Sequence, residues 1–412
     1  MKRNAAFFAA FIVFGLIALF WGNLTFARRS PGGPDLLNHW IAMREFIFHG
    51  KSPYSEEVSV KIQHAIYGRA ALPGENQYLD VYPLYASLVT FTPFALIGDF
   101  TLARALWMTV LELAILASTL FIWRILRWKP KPALATAVIF FALTWYFAVR
   151  AIVHGNAIAL VLFWLSLSLY ALWADLDGWA GVALVFATVK PNVALLPVIF
   201  LLLWTASHRR WRFWRGFFVT LGVLLAFSLW LLPSWPLENL RNILAYPSYN
   251  PPASPQATLA EAMPGIGAKL GWALVGIVWL LLLAEWAAAW KRPFRHALWT
   301  FSATLLFSIW SGIQTAPGNQ LILWISLLVV WVLWEVRWKP AGVWAVWITL
   351  VGLWIGLWAF FLATLGRDAF GHPFQSPWMY FPLGIFLFIG LYWVRWWAVR
   401  PPLLSELLSD EA

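Results

Sequence analysis

The stretch "GWAGVALVFATVKPNVALLPVIFLLL", Gly178 to Leu203, is apolar apart from Thr188 and the point where Lys190, Pro191 and Asn192 interrupt it. Read as one helix, it buries a lysine and loses a ladder hydrogen bond at the proline. Read as two short crossings, 178–190 and 191–206, it places lysine and break together. Lys190 either snorkels to the interface or serves a function. Backbone freed by Pro191 is tolerated at membrane depth only against protein or a cavity, which favours a cavity-lining functional site. The choice decides the fold, because one crossing more or less changes the side on which every later loop lies.

Composition supports a membrane setting. Of 412 residues, 62% are hydrophobic and 11% charged, and mean hydropathy is +0.72. A soluble globular chain carries about 25% charged residues, so that class is excluded. Apolar runs of membrane-spanning length recur along the chain, which predicts an all-α polytopic membrane protein folded as a single domain over 1–412. The first run, near 5–26, is too long for a signal-peptide core and lacks a small-x-small cleavage site, so it reads as a retained span. The absence of cysteine excludes disulfides and thiolate chemistry. The 32 tryptophans are expected mostly at membrane interfaces and lipid-facing positions.

Basic residues cluster at Lys2–Arg3, 124–131, 209–215, 291–295, 337–339 and 395–400, with a net charge of +11. If all are cytoplasmic, an even number of crossings separates each pair. Spans near 5–26, 101–123, 133–151, 157–174, 178–190, 191–206, 214–233, 269–290, 296–312, 319–335, 343–364 and 378–397 satisfy this. They predict about twelve transmembrane helices with both termini cytoplasmic and a tail at 398–412. Residues 83–97 contain Pro93 and read as an interfacial helix. They close an external region, 27–100, whose stretch 27–82 balances six basic against six acidic residues. Within it, Leu36, Leu37, Trp40, Ile41 and Phe48 recur at helical spacing up to Gly50. A second pattern, Val58, Ile62, Ala65 and Ile66, follows a Ser55 cap. Both are expected on the membrane surface. A second external loop, 234–268, is rich in Pro, Asn, Ser and Gln, and no inverted repeat is visible.

Several side chains are placed for chemistry. Asp35 precedes an amphipathic pattern, where an aspartate serves as an N-cap. A helix N-terminus can equally hold a carboxylate ionised for use as a base. Asp80 is either a second carboxylate facing the same cavity or a loop-end residue. "VRAIVHGN" sets Arg150, His154 and Asn156 at the outer end of a span, with His154 either functional or an interhelical histidine. Arg104 opens a span and is expected near lipid headgroups or a phosphate. Glu112 lies mid-span, and Glu285 is expected to pair toward basic residues. No nucleotide phosphate loop, H-E-x-x-H or Ser-His-Asp pattern is present. Carboxylate, histidine and cations at an outer membrane surface suit transfer from a lipid-phosphate donor, with a base activating a hydroxyl and cations balancing the leaving phosphate.

With these residues in view, the chain resembles the polyprenol-phosphate-dependent glycosyltransferases of family 87, bacterial membrane mannosyltransferases of the GT-C fold. The resemblance covers about the first half. It is carried by "PDLLNHWIAMREFIFHGKSPY", "VYPLYASLVTFTPFALI", "HGNAIALVLFWLSLSLYAL" and "GWAGVALVFATVKPNVALLPVIFLLL" followed by "RRWRFWR". It implies Asp35 as general base, with Gly50, Pro53 and Tyr54 in its motif. It matches Tyr82 and Pro83 to the interfacial helix, Gly155 and Asn156 to a glycine-asparagine step, and Lys190 and Pro191 to a donor-phosphate contact. The chain departs at Asn319 and Gln320, where an aromatic residue and a histidine are expected. "YNPPASPQATLAEAM" matches only loosely. The implied activity is inverting, metal- and cofactor-independent transfer of a sugar, mannose favoured, from a polyprenyl-phosphate donor. The implied acceptor is lipid-linked or part of the cell envelope. The setting is a bacterial plasma membrane with the active site outside and membrane lipids as surroundings, without nucleic acid. A lipid-linked sugar transporter or flippase, and an inactive family member, are the rival readings.

Overall fold

The structure is a computed structural model that describes residues 2–249, 254–367, 371 and 373–399. The expected tail therefore lies outside the described residues beyond 399, as do residues 250–253 of the second loop. In the first half the helices are α1 (Lys2–Arg29), α2 (Pro34–His49), α3 (Glu56–Tyr67), α4 (Leu84–Ala95), α5 (Phe100–Ile125), α6 (Pro132–Thr144), α7 (Tyr146–His154), α8 (Ile158–Trp173), α9 (Asp177–Ala187) and α10 (Pro191–Ser207). In the second half they are α11 (Trp211–Leu231), α12 (Trp235–Tyr249), α13 (Pro255–Ala262), α14 (Gly267–Ala289), α15 (Phe294–Trp310), α16 (Trp324–Trp338), α17 (Pro340–Thr364) and α18 (Pro382–Val399). Two-residue strands, β1 (Gly366–Arg367) and β2 (Pro373–Phe374), pair antiparallel. Short 3-10 turns precede α16 and α18.

The opening stretch folds as two helices. α9 ends at Ala187, and α10 begins with Pro191 in its first turn, where the missing N–H breaks no helical bond. Lys190 is the residue between them that caps α10. With 11 residues, α9 is about 16 Å long, roughly half of a 30 Å hydrocarbon core. It packs on α8.

Every expected span coincides with helix, but not every helix has spanning length. Among the described residues, α5, α11, α14, α17 and the runs Pro317–Trp338 and Pro377–Trp396 are long and apolar enough to cross a membrane. The pair α6 and α7, bent by 46°, makes a seventh when taken as one broken span. The helices α8, α9, α10 and α15 have 16, 11, 17 and 17 residues.

The chain divides into two compact units. One comprises residues 1–114, 150–157 and 224–250, and the other comprises 115–149, 158–223 and 251–412. In the first, Ser55 caps α3 by accepting from Val58 N–H, as expected. Val58 and Ile62 pack on Ala42 of α2 with Ile66 half-buried beside them, whereas Ala65 of the expected stripe is exposed. The packing face of α2 differs from the expected stripe. Leu36, His39, Ala42 and Met43 are buried, whereas Phe48 is 53% exposed and Leu37 and Trp40 are half-buried. In the second unit, α15 is buried over almost its whole circumference and α16 from Trp324 to Trp334, the pattern of central helices. Tryptophans that composition assigned to interfaces fill this core. Trp145, Trp299, Trp324 and Trp331 are fully buried. The indoles of Trp324, Trp331 and Trp299 donate to Thr119 Oγ1, Thr349 Oγ1 and the Leu391 carbonyl, each at 2.9 Å, which satisfies the N–H that makes tryptophan difficult to bury.

Candidate active site

The first unit builds a polar site around the start of α2. The helix is capped by Gly33, not by Asp35 as position suggested. Gly33 has φ +80°, makes no side-chain cap bond, and is followed by Pro34 in the first turn. A Cβ on Gly33 would lie 2.7 Å from Arg104 Nε, so the turn needs glycine for both its backbone angle and its contact. Asp35 therefore stands inside the first turn, where the helix dipole favours a carboxylate. It is half-buried, and Asn156 Nδ2 donates to its Oδ2 at 2.7 Å. Among the described residues its Oδ1 accepts no hydrogen bond.

The "HGN" sequence explains how Asn156 arrives there. After His154, Gly155 takes φ +76°, its N–H bonds Ile152 O, and Asn156 N–H bonds Ala151 O at 2.8 Å. This left-handed turn closes α7. A Cβ on Gly155 would sit 2.7 Å from Leu36 Cβ and 3.2 Å from Leu36 N. Only glycine lets the turn lie directly on the first turn of α2. The Gly155 carbonyl accepts from the Trp107 indole at 2.9 Å. His154 is half-buried, within electrostatic reach of Arg150, Asp35 and Arg104.

Arg104 is 2% exposed and turned inward. Its Nη1 donates to Ser30 O at 2.6 Å and its Nη2 to Val153 O at 3.1 Å. It thus ties the segment before α2 to the end of α7 rather than presenting a free cation.

A second layer holds the loop before α4. Asp80 is buried, its Oδ1 accepting Tyr82 N–H at 2.8 Å and its Oδ2 lying 3.3 Å from His39 Nδ1. The His39 ring lies between Tyr82 and Phe91, each centroid 4.3 Å away. Tyr54 donates its hydroxyl to Tyr82 O at 2.7 Å. From α12, Asn239 donates to Tyr82 O at 3.2 Å, and Asn242 to Asp80 O at 3.0 Å and Tyr54 O at 3.3 Å. The charge of Asp35 reaches several phenols. Burial first, then Asp35, raises Tyr82 well above the ordinary phenol range and pushes Tyr246 up to about 12. These rings remain neutral donors around the carboxylate at physiological pH.

Lys190 belongs to the second unit, where it is buried and its Nζ donates to Asn319 Oδ1 at 2.8 Å. Asn319 in turn donates to Thr315 Oγ1 at 2.7 Å, and Tyr380 donates its hydroxyl to Thr315 O. Asn192 reaches Gln314 O at 3.0 Å. The departure at Asn319 is thus the partner of the lysine at the helix break. Gln320 donates to Met379 O at 2.7 Å, while its buried Oε1 has no partner among the described residues.

The first unit therefore brings together Asp35, His154 and Asn156, supported by Arg104, and beside them Asp80, Tyr82 and Tyr54. His39, Asn239, Asn242 and Tyr246 escaped sequence reading. His39 follows Asp35 by four residues, the same-face spacing on a helix, and that signal was available. Asn239 and Asn242 were hidden because their segment reads as a loop.

The fold is that of a multi-pass helical membrane protein with a polar site at the start of its second helix. The family model for glycosyltransferase family 87 matches residues 81–311, more than half of the chain, and the chain belongs to that family. Tyr82, Arg104, His154, Asn156 and Lys190 lie inside the matched region, while Asp35, Tyr54 and Asp80 precede it. No curated protein matches the chain, and neither does any solved structure.

Proposed function

We propose that the protein is an inverting glycosyltransferase that moves a sugar, mannose favoured, from a polyprenyl-phosphate donor to a lipid-linked or cell-envelope acceptor. One observation supports this reading above the others. A half-buried carboxylate in the first turn of a helix has one oxygen engaged by Asn156 and the other, among the described residues, without a bond. Asp35 takes the proton of the acceptor hydroxyl, and that oxygen attacks the anomeric carbon. The carbon–oxygen bond to phosphate breaks, and polyprenyl phosphate leaves with the electron pair. Asn156 orients Asp35. His154 and Tyr82 line the acceptor and sugar side, and His39, Asp80 and Tyr54 fix the wall beside them. Lys190 takes the donor-phosphate role that the family resemblance gives it, and no metal or cofactor enters the scheme.

The setting belongs to the same proposal: a bacterial plasma membrane, a GT-C-type bundle of about twelve crossings, both termini cytoplasmic and Asp35 on the external face. The test incubates purified full-length protein in mixed micelles with radiolabelled polyprenyl-phosphate mannose and membrane lipid extract. Transfer of label to a new product with release of polyprenyl phosphate is expected. Donor that stays intact, or that crosses reconstituted vesicles without bond cleavage, contradicts the proposal and favours the transporter reading.

A further inference from the structure

We propose that a groove between α10 and α14, in the second unit, binds an anionic phospholipid. One acyl chain lies in the groove and the phosphate meets the basic residues at its end. The two helices both pack on α15 and leave a cavity of about 230 Å³ between them. Phe200, Leu203, Trp204, Leu283, Trp286 and Trp290 line it. A lining of aromatic and aliphatic side chains suits an acyl chain rather than a sugar or nucleotide, whose hydroxyls and phosphates need polar partners. The indole donors of Trp204 and Trp286 turn elsewhere. Trp204 Nε1 bonds Arg292 O at 3.0 Å and Trp286 Nε1 bonds Thr304 Oγ1 at 2.9 Å. What remains toward the groove is apolar. Leu203, Leu283 and Trp290 keep 41%, 53% and 49% exposure.

Charge decides which lipid. α14 has spanning length, which puts Trp290 at headgroup depth, and exposed Lys291 and Arg292 follow it directly. Ser207 Oγ accepts Lys291 N–H at 3.2 Å, which brings His208 and Arg209 to the same end. The neighbouring carboxylates are engaged already, Asp175 and Asp177 by Arg210 and Glu285 by Arg395. Among the described residues no carboxylate pairs with Arg209, Lys291 or Arg292. Apolar groove and unpaired cations together match a lipid with an apolar chain and a net negative headgroup.

Native mass spectrometry of the full-length protein in detergent, given equal phosphatidylglycerol and phosphatidylcholine with identical chains, tests this directly. Wild type is expected to retain phosphatidylglycerol preferentially. Lys291→Ala with Arg292→Ala weakens that retention about five-fold for each cation removed. Ala287→Trp, which fills the groove wall, lowers retention of both lipids. Arg337→Ala with Lys339→Ala removes equal charge from another exposed cluster and leaves the preference intact. If the Ala287→Trp protein fails to fold, the two surface double variants still carry the test. The proposal is overturned if the 291/292 variant keeps the wild-type preference, if both double variants lose it equally, or if a folded Ala287→Trp protein binds as wild type.

Discussion

Gly155→Ala should damage the site without touching a reacting group. The glycine has φ +76°, a region where a side chain costs roughly 1–3 kcal/mol. The new methyl would also stand 2.7 Å from Leu36 Cβ and 3.2 Å from Leu36 N, and overpacking of this kind costs about 1–3 kcal/mol more. Arg104 donates to Ser30 O before α2 and to Val153 O near the end of α7, so the strain falls on the contact between the turn and the first turn of the helix. Displacement lengthens the 2.7 Å bond from Asn156 to Asp35. A hydrogen bond to a charged group contributes about 1.5–3 kcal/mol, so turnover should fall roughly ten- to hundredfold. Thermal unfolding and single-turnover sugar transfer measure the two effects on the same preparation. Gly276→Ala, in α14 with nothing within 4 Å of where its Cβ would stand, is the control and should be neutral or slightly stabilising. Asn156→Ala should reproduce the loss of turnover with a smaller loss of stability. A Gly155→Ala protein that melts and turns over like wild type would refute the packing of the "HGN" turn on Leu36.

Other substitutions probe the supporting layer. Tyr54→Phe removes a donor to Tyr82 O and should cost about 1 kcal/mol. Asn239→Ala removes another donor to the same carbonyl, and because the two donors share one acceptor the double variant should cost more than the sum of the single variants. His39→Leu strands one oxygen of buried Asp80 and should cost about 1–3 kcal/mol by thermal unfolding. Burial opposes ionisation of Glu45, but Lys61, with His49 and Lys51, carries its carboxyl below the ordinary value. A depressed carboxyl stabilises the fold above the ordinary carboxylate range and loses that contribution as pH falls through the lowered value. Melting between about pH 7 and pH 3 should therefore show an acid loss that shrinks in Lys61→Ala.

Much of the architecture is legible because local rules fix it. Gly50 ends α2, Ser55 caps α3, and Lys190-Pro191 separates α9 from α10, each through residues adjacent in the chain. What escaped depends on distant contacts. Gly33 rather than Asp35 caps α2 because Arg104, about seventy residues later, fills the space beneath the turn. His39 and Asp80 are 41 residues apart, and nothing local to either announces the pair. α12 reads as a loop because it holds Pro236 and Pro247 and spends its asparagines on tertiary bonds. Buried tryptophans resemble interfacial ones in composition and differ only in where their indole donors find acceptors. Crossing number stays the least legible feature, since an 11-residue helix such as α9 has span-like composition without span-like length.

The role of Asp35 is tested most directly by single-turnover transfer from a polyprenyl-phosphate sugar, comparing wild type with Asp35→Asn. The amide preserves shape and can still meet Asn156, so donor binding and thermal unfolding should change little. Without a base, transfer should fall by at least about a hundredfold. Asp35→Asn transferring sugar at the wild-type rate would contradict the assignment.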